Sequence, residues 1–134
     1  MATQLSEKAR AFLQERRFAV LGTLNADGSP QLTTMWYLLD GNTIIMNTKA
    51  GRVKDLNMKR DPRISICVED GYNYVTISGN VEMDEDQETA HRDIYRLAAR
   101  YDGEENAKQQ MEEQFSKEHR ITLRLKCENV IESL

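Results

Sequence analysis

Six stretches of the chain carry apolar residues in alternation with polar ones or in short apolar runs, a pattern typical of β-strands. The predicted strands cover residues 18–24, 30–39, 43–48, 63–69, 72–83 and 120–127. Asp27, Asp40 and Asp70 each precede a glycine between two such stretches, which predicts tight turns and antiparallel hairpins. Gly79 within the fifth strand predicts a bend, as a closed or coiled sheet requires. The pattern favours a small six-stranded antiparallel barrel or coiled sheet.

Four further segments have the spacing of amphipathic helices and are expected on the rim of the sheet. They cover residues 6–16, 52–60, 86–100 and 104–117. In the second helix, Val53 and Leu56 are spaced to face a core. In the last strand, Ile121, Leu123 and Leu125 are expected to point inward. The alternate positions of that strand are expected to face solvent, namely Arg120, Thr122, Arg124 and Lys126.

Length and composition predict one globular domain over residues 1–134. Of the 134 residues, 40% are hydrophobic and 30% are charged, which is typical of a folded protein. A ligand as large as a nucleotide would sit more easily between two copies of so short a chain. The formal net charge of -4 argues against nucleic acid as a partner, because nucleic-acid binding needs a broad basic face.

The apolar pattern leads us to expect neither a membrane span nor a signal peptide. No apolar run approaches the roughly 18 residues that cross a bilayer, and the first residues lack a signal peptide's apolar core. We therefore expect no membrane association and a cytoplasmic location. Cys67 and Cys127 lie within predicted strands without metal-ligand spacing, so we expect buried, reduced thiols.

Residues 47–63 form a local cluster of positive charge in this acidic chain, where the third strand ends and the second helix begins. The segment carries Lys49, Arg52, Lys54, Lys59, Arg60 and Arg63. A strand that ends in Thr48, turns at Gly51 and opens a helix presents a hydroxyl, free backbone N–H groups and the helix dipole at one place, which favours a phosphate site. The same spacing fits the solvated face of an amphipathic helix, so the segment alone leaves both interpretations open.

No residues in the sequence have the spacing of a catalytic nucleophile and base or of a metal site. His91 in a predicted helix and His119 before the last strand have no such partners. Acidic residues crowd positions 84–88, where they fit the start of a helix. We therefore assign no catalytic side chain and no metal ligand, and we expect a bound cofactor to carry the chemistry if the protein is an enzyme.

Several short motifs follow one another in an order that resembles a known family. They are Val20 to Leu24, Asp27 to Gln31, Trp36, Tyr37, Thr48 to Lys54, Leu56 and Lys59 to Arg63. From Leu5 to Ile131 the chain resembles the pyridoxamine 5′-phosphate oxidase-like superfamily of FMN-binding split-barrel proteins. Within it, the chain is most similar to the small flavin- and deazaflavin-dependent oxidoreductases that use coenzyme F-420. The resemblance implies a mainly β fold with rim helices, a six-stranded antiparallel split β-barrel, and a homodimer with cofactor sites at the subunit interface.

The resemblance also implies which residues bind the cofactor. They are Gln31, Thr34, Thr48, Lys49, Arg52, Lys54, Tyr72 and Tyr74. Arg52 and Lys54 match the basic pair that holds the phosphate in the family, and Thr48 and Lys49 lie beside them.

The other implied residues lie near the ring system of the cofactor. Gln31 and Thr34 are on the strand that passes the rings. Tyr72 and Tyr74 occupy positions where relatives place aromatic residues of the partner subunit. Trp36 fits two roles. One is lining the pocket or the dimer interface, and the other is ordinary core packing.

The activity that the resemblance implies is hydride transfer from reduced coenzyme F-420 to an unidentified conjugated small molecule. Two alternatives stay open. One is an FMN-dependent flavoprotein oxidase or reductase on the same fold. The other is a non-catalytic protein that binds a cofactor or haem, for which His91 or His119 would be the axial ligand. The sequence does not identify the acceptor, the proton donor or the stereochemistry of transfer.

Overall fold

The computed structural model describes residues 2–134, so residue 1 of the predicted domain lies outside the described part. Nine β-strands and four α-helices occur within it. The strands are β1 Ala19–Leu24, β2 Pro30–Met35, β3 Leu38–Asp40, β4 Thr43–Lys49, β5 Arg63–Asp70, β6 Asn73–Asn80, β7 Glu82–Asp84, β8 Arg120–Lys126 and β9 Val130–Ser133. The helices are α1 Glu7–Gln14, α2 Val53–Arg60, α3 Gln87–Asp102 and α4 Glu104–Glu113, followed by a 3₁₀ turn at Phe115–Lys117.

The strands form two antiparallel sheets, in the orders β2-β1-β5-β6-β9 and β3-β4-β8-β7. The three predicted hairpin turns are present, and their glycines have positive φ: Gly28 (86°), Gly41 (61°) and Gly71 (65°). Glycine adopts this region without the steric cost that a Cβ atom brings. The prediction of a mainly β, antiparallel fold with accompanying helices is confirmed.

The six predicted strands correspond to eight in the structure, and a ninth was not predicted. The stretch over residues 30–39 divides into β2 and β3, and the stretch over residues 72–83 divides into β6 and β7, each pair split between the two sheets. The first bend falls within a continuous apolar run over residues 35–39, and the second falls within the alternation of residues 75–83, so neither corner is visible in the sequence. Strand β9 follows β8 after a short connection, residues 127–129, and pairs with β6. The six-stranded barrel is therefore not confirmed in this detail.

Gly79 lies near one of these corners. An added Cβ atom would stand 3.3 Å from Leu125 Cδ1, so the missing side chain lets β6 approach β8 closely. The break between β6 and β7 falls two residues later, at Val81. The bend predicted at Gly79 is thus present in this region.

The main core lies between the sheets and under α1, which contributes Ala9 and Leu13. As predicted, Ile121, Leu123 and Leu125 of β8 face this core. A second apolar cluster joins α3, α4 and the 3₁₀ turn to the other face of β3 and β4; it comprises Leu38, Ile45, Ile94, Leu97, Ala98, Ala107 and Phe115.

The second cluster changes the environment of the outer face of β8. Arg120 and Thr122 were expected to face solvent, but they are only 7% and 0% exposed. The prediction is wrong for these two residues because α3 packs against β8. Arg124 is partly exposed and Lys126 is exposed, so the prediction holds beyond the helix.

Helix α2 is oriented differently from the prediction. Val53 and Leu56 are 57% and 54% exposed, so the expectation that they face a core is wrong. The helix instead buries Asp55, Asn57 and Met58. These polar side chains face inward because they meet hydrogen-bonding partners there: Asp55 accepts from the N–H of Gly51, and Asn57 donates to Asn25 Oδ1.

Both cysteines are free thiols, as predicted. Cys127 is fully buried, and burial raises the pKa of its thiol to about 11. The expectation of burial is wrong for Cys67, which is only half-buried because it lies on the face of β5 that points away from the core. In the described chain, no helix is both long and apolar enough to cross a membrane.

Candidate functional site

The turn between β4 and α2 is fixed from two sides. Gly51 has a φ of 90° and donates its N–H to Asp55 Oδ2 at 2.6 Å. The N–H of Ala50 donates to the carbonyl of His119 at 2.9 Å. Asp55 is fully buried, and its Oδ1 lies 3.3 Å from Lys59 Nζ. The basic turn is therefore a defined structure rather than a loose loop.

A cavity of about 350 Å³ opens beside this turn. It is lined by residues of β2, β4, α2, α3 and β8 and of the connections next to them: Thr33, Thr34, Met35, Trp36, Asn47, Thr48, Lys49, Arg52, Lys54, Ile94, Leu97, Gln114, Phe115 and Arg120. Five of the eight predicted cofactor-binding residues are among them, namely Thr34, Thr48, Lys49, Arg52 and Lys54. The structure thus brings the predicted phosphate residues together at one concave surface.

The other three predicted residues do not line this cavity. Gln31 pairs with Thr23 near the start of β2, and it lies on the opposite face of the strand from Thr34. Tyr72 is 98% exposed in the turn between β5 and β6. Tyr74 is half-buried on β6. Within a single chain, these residues are therefore not part of one site with Arg52.

Arg52 and Lys54 carry positive charge that the described residues do not neutralise. Neither side chain donates a hydrogen bond or forms an ion pair within residues 2–134. The pKa of Lys54 is lowered from its ordinary value, chiefly by burial and further by the charges of Arg52 and Arg120. Such a set of converging cations is stabilised by an anion.

Sequence reasoning missed Arg120, which lines the same cavity from the first position of β8. Its Nε donates to Asn47 Oδ1 at 3.0 Å, and its Nη1 donates to Glu118 Oε1 at 3.0 Å. Burial, above all, lowers the pKa of Arg120, and the charge of Arg52 lowers it further. The alternation of apolar and polar residues in β8 did not indicate a role for Arg120, because it does not reveal that a helix covers the outer face of the strand.

One part of the cavity wall is apolar, beside polar residues such as Thr33, Asn47 and Gln114. Trp36 stacks on Tyr101 with ring centroids 5.3 Å apart and an interplanar angle of 8°. Trp36 also lines the cavity together with Ile94, Leu97 and Phe115. Trp36 thus serves both in packing and in lining the pocket. The cavity joins a cationic end to an apolar wall, which suits an acidic ligand with a planar apolar part.

A larger cavity, of about 500 Å³, lies elsewhere beside β8. Its arginine, Arg124, pairs with Glu82 and with Asp84, each at 2.9 Å. This arginine is already neutralised, so the larger cavity is a weaker candidate for an anionic ligand.

The described residues contain no cluster of His, Cys, Asp or Glu that could hold a metal ion. His91 Nε2 lies 2.9 Å from the carbonyl oxygen of Glu118, and His119 Nε2 lies 3.1 Å from Glu85 Oε1. Neither histidine lines the cavity. The arrangement can bind and orient an acidic, partly apolar molecule, and it offers no histidine for axial ligation of a haem in that cavity.

Comparison with known proteins identifies the family. A family model described as pyridoxamine 5′-phosphate oxidase matches residues 5–131. The chain belongs to this family. The resemblance identified from its motifs is thereby confirmed.

Three individual proteins are similar to this chain over most of its length. The F420H(2)-dependent biliverdin reductase of Mycobacterium tuberculosis (strain CDC 1551 / Oshkosh) is 33% identical over 101 residues, which cover 74% of each chain. The crystal structure of the conserved hypothetical protein Rv2991 from Mycobacterium tuberculosis has a TM-score of 0.82 and 30% identity, covering 98% of this chain and 87% of that one. A structure named F420 Reductase has a TM-score of 0.74 at 24% identity, covering 95% and 98%. The last of these supports the fold alone.

Proposed function

We propose that the protein is an oxidoreductase that binds coenzyme F-420 in the cavity beside the β4–α2 turn and reduces a conjugated small molecule. The observation that carries the proposal is the pair of unneutralised cations, Arg52 and Lys54, in a cavity that also has an apolar wall. The similarity to an F420H(2)-dependent biliverdin reductase supports the choice of cofactor. When bound, a deazaflavin supplies hydride transfer, so the chain needs no nucleophile of its own.

The residues at the cationic end fit the phosphate of such a cofactor. Arg52 offers a planar fork of N–H donors and Lys54 a mobile point charge. Thr48 adds a hydroxyl at the end of β4, and the N-terminus of α2 has no side-chain cap, which leaves its backbone N–H groups available. Lys49 contributes charge from the rim, where it pairs with Glu118 at 3.4 Å.

The apolar wall would exclude water from the ring system. Trp36 is held by its stacking on Tyr101, so it presents a fixed surface. Ile94, Leu97 and Phe115 come from the second apolar cluster and are almost fully buried. A ring that packs against this wall is held in one orientation, which is the main requirement for transfer between two bound molecules.

We further propose that the protein is a homodimer with the cofactor site at the subunit interface. The outer face of the five-stranded sheet carries an uncharged row that crosses all five strands, formed by Thr34, Val20, Cys67, Thr76 and Ile131. Exposed Leu32 lies in the next row. Such a face is typical of subunit contacts. Thr34 ends the row and also lines the cavity, so a second copy on this face would reach the site.

The dimer gives a role to the predicted residues that lie outside the cavity. A cavity of about 350 Å³ is at the small end of ligand pockets, so a large cofactor needs a further wall. Tyr72 projects from its turn without cover in one chain. We propose that Tyr72 and Tyr74 contact the cofactor that is bound to the partner subunit. We also propose that Gln31 lies near the ring system of the cofactor.

We also propose that the two sheets together form the six-stranded split barrel. The bent pairs β2/β3 and β6/β7 then count once each, beside β1, β4, β5 and β8. Strand β9 is an addition to this arrangement.

FMN is the second candidate cofactor. Arg52, Lys54 and Thr48 would hold its phosphate with the same contacts, and the family name refers to an oxidase rather than to an F-420 enzyme. Comparing the affinities for the two cofactors distinguishes the candidates.

Catalysis is tested separately from binding. The purified protein is incubated without oxygen with reduced F-420 and a panel of conjugated acceptors that includes biliverdin, and oxidation of F-420 is followed by absorbance. The proposal predicts acceptor-dependent oxidation that is lost in the Arg52→Ala/Lys54→Ala variant. Tight F-420 binding without turnover across the panel would instead favour a non-catalytic cofactor-binding protein.

A further inference from the structure

We propose that Arg120 binds an acidic group of the ligand, in addition to Arg52 and Lys54 in the same cavity. The inference deepens the proposed function and depends on it only for placing the ligand in this cavity. Neither the spacing of the sequence nor the family match assigns Arg120 to the site.

The guanidinium of Arg120 is held in place by three groups. Asn47 Oδ1 accepts from Nε, Glu118 Oε1 accepts from Nη1, and the ring of Phe115 lies 5.1 Å from the guanidinium carbon. Asn47 is itself fixed, because its amide donates to the carbonyl of Ala90 on α3 at 2.9 Å. The orientation of Arg120 is therefore preset before any ligand arrives.

One nitrogen of the Arg120 guanidinium remains unpaired within the described residues. Within residues 2–134, Nη2 of Arg120 has no hydrogen-bond partner, although the side chain lines the cavity and the residue is only 7% exposed. Nη2 is not among the side-chain atoms that are both buried and unpaired, so it is open to the cavity that Arg120 lines. The free edge of the guanidinium is thus available to a ligand oxygen.

The local charge balance supports the same conclusion. Four cations, Lys49, Arg52, Lys54 and Arg120, line the cavity, and no carboxylate of the described residues is in its lining. Glu118 pairs with both Lys49 and Arg120. Other buried carboxylates are engaged elsewhere: Asp55 pairs with Lys59 and Asp93 with Arg96. We infer that the preferred ligand carries more than one negative charge.

The inference is tested with inorganic phosphate and with two deazaflavins. The variants are Arg120→Met and, as a matched control, Arg124→Met. Arg124 is another arginine of β8 that is paired with carboxylates, but it lies outside this cavity. The measurements are the rise of Tm with phosphate at constant ionic strength, and the Kd for F-420 and for its phosphate-free 5-deazariboflavin analogue.

We expect phosphate to raise the Tm of the wild type and of Arg124→Met, and to have much less effect on Arg120→Met. For Arg120→Met, the Kd for F-420 should rise about 10-fold or more while the Kd for the phosphate-free analogue changes less than about 2-fold, as expected for one lost charged hydrogen bond. Equal losses for the two deazaflavins, or an unchanged phosphate response, would mean that Arg120 only supports the fold.

A measurement on the wild type covers the case in which Arg120→Met does not fold. The Nε–H resonance of Arg120, assigned by its disappearance in Arg120→Lys, should shift during a phosphate titration. The absence of a shift would overturn the inference. Phosphate binding through Arg120 with no affinity for F-420 or FMN would leave this anion site in place and contradict the proposed function instead.

Discussion

The backbone N–H of Gly51 donates a hydrogen bond of 2.6 Å to the carboxylate of Asp55. This hydrogen bond links Asp55, in the first turn of α2, to Gly51, which lies two residues before the helix begins. Arg52 and Lys54 therefore lie within a hydrogen-bonded loop. The positive φ of Gly51 allows the chain to turn back toward the carboxylate. An acidic side chain inside a basic segment therefore has a positioning role.

Replacing Asp55 should weaken both the fold and the site. Asp55→Ala removes a fully buried carboxylate from Gly51 and Lys59, and we expect the free energy of unfolding to fall by about 2–3 kcal/mol. Asp55→Asn keeps an acceptor for Gly51 and should lose less. Urea denaturation measures the change. Asp61→Ala, which removes a partly exposed carboxylate paired with Arg63, is the control and should lose less stability than Asp55→Ala.

Removing the basic pair should weaken cofactor binding without harming the fold. For Arg52→Ala/Lys54→Ala, we expect a loss of about 2–4 kcal/mol, or a roughly 30- to 700-fold rise in Kd, from charged hydrogen bonds that are not fully additive. Neither side chain has a partner within the described residues, so Tm should not fall. Lys108→Ala/Lys117→Ala removes the same charge elsewhere. An unchanged Kd in the first variant would place the phosphate at another site.

The affinity for an anionic ligand should decline at a lower pH than it would if Lys54 had the ordinary pKa of a lysine. Burial, Arg52 and Arg120 lower the pKa of Lys54 from its ordinary value of 10.5. A bound anion favours the protonated amine, so binding is strongest below this pKa and weakens as pH rises through it. A titration of Kd against pH measures the decline. Lys54→Arg should remove it, because arginine stays charged; a decline that persists in this variant would implicate another group.

The ligand-free protein should show the opposite dependence on pH. The folded state holds the Lys54 proton less tightly than the unfolded state does, so the unfolded state binds more protons between the two pKa values. The contribution of Lys54 to stability therefore rises with pH in that window.

A charge on the outer face of the five-stranded sheet should separate the proposed dimer. Leu32 is exposed and lies in the uncharged rows of that face. Leu32→Arg should shift the molar mass in light scattering from dimer to monomer and weaken cofactor binding. The fold should be retained, because the side chain is not in the core. Leu56→Arg changes a similarly exposed leucine on α2 and should leave the dimer intact; a wild type that is monomeric would contradict the proposal directly.

Local signals in the sequence predicted much of the fold. The Asp-Gly turns gave the hairpins, and Ser6 starts α1 with its hydroxyl accepting from the N–H of Ala9 at 3.0 Å. The corners of the bent strands were not predictable, because an unbroken apolar run spans the first corner, from Met35 to Leu39, and apolar and polar residues alternate across Val81 at the second. Strand β9 was missed because it spans only Val130–Ser133 and pairs with a strand distant in sequence.

The site was predictable only in part, for a related reason. Hydrophobic spacing assigned Val53 and Leu56 to the core, yet the buried positions of α2 are taken by residues that bond to the β1–β2 hairpin and to the turn. Asn57 donates to Asn25 Oδ1 at 2.9 Å. Likewise, the burial of Arg120 depends on the packing of α3, which no local pattern in β8 reveals. Polar residues buried by tertiary partners are the ones that periodicity assigns to solvent.

The most direct test of the proposed cofactor is a fluorescence titration of the purified protein with oxidised F-420, beside FMN in the same buffer and salt. The proposal predicts micromolar or tighter binding of F-420 and much weaker binding of FMN. Tight binding of FMN without binding of F-420 would contradict it and would make the protein a flavoprotein of the pyridoxamine 5′-phosphate oxidase family.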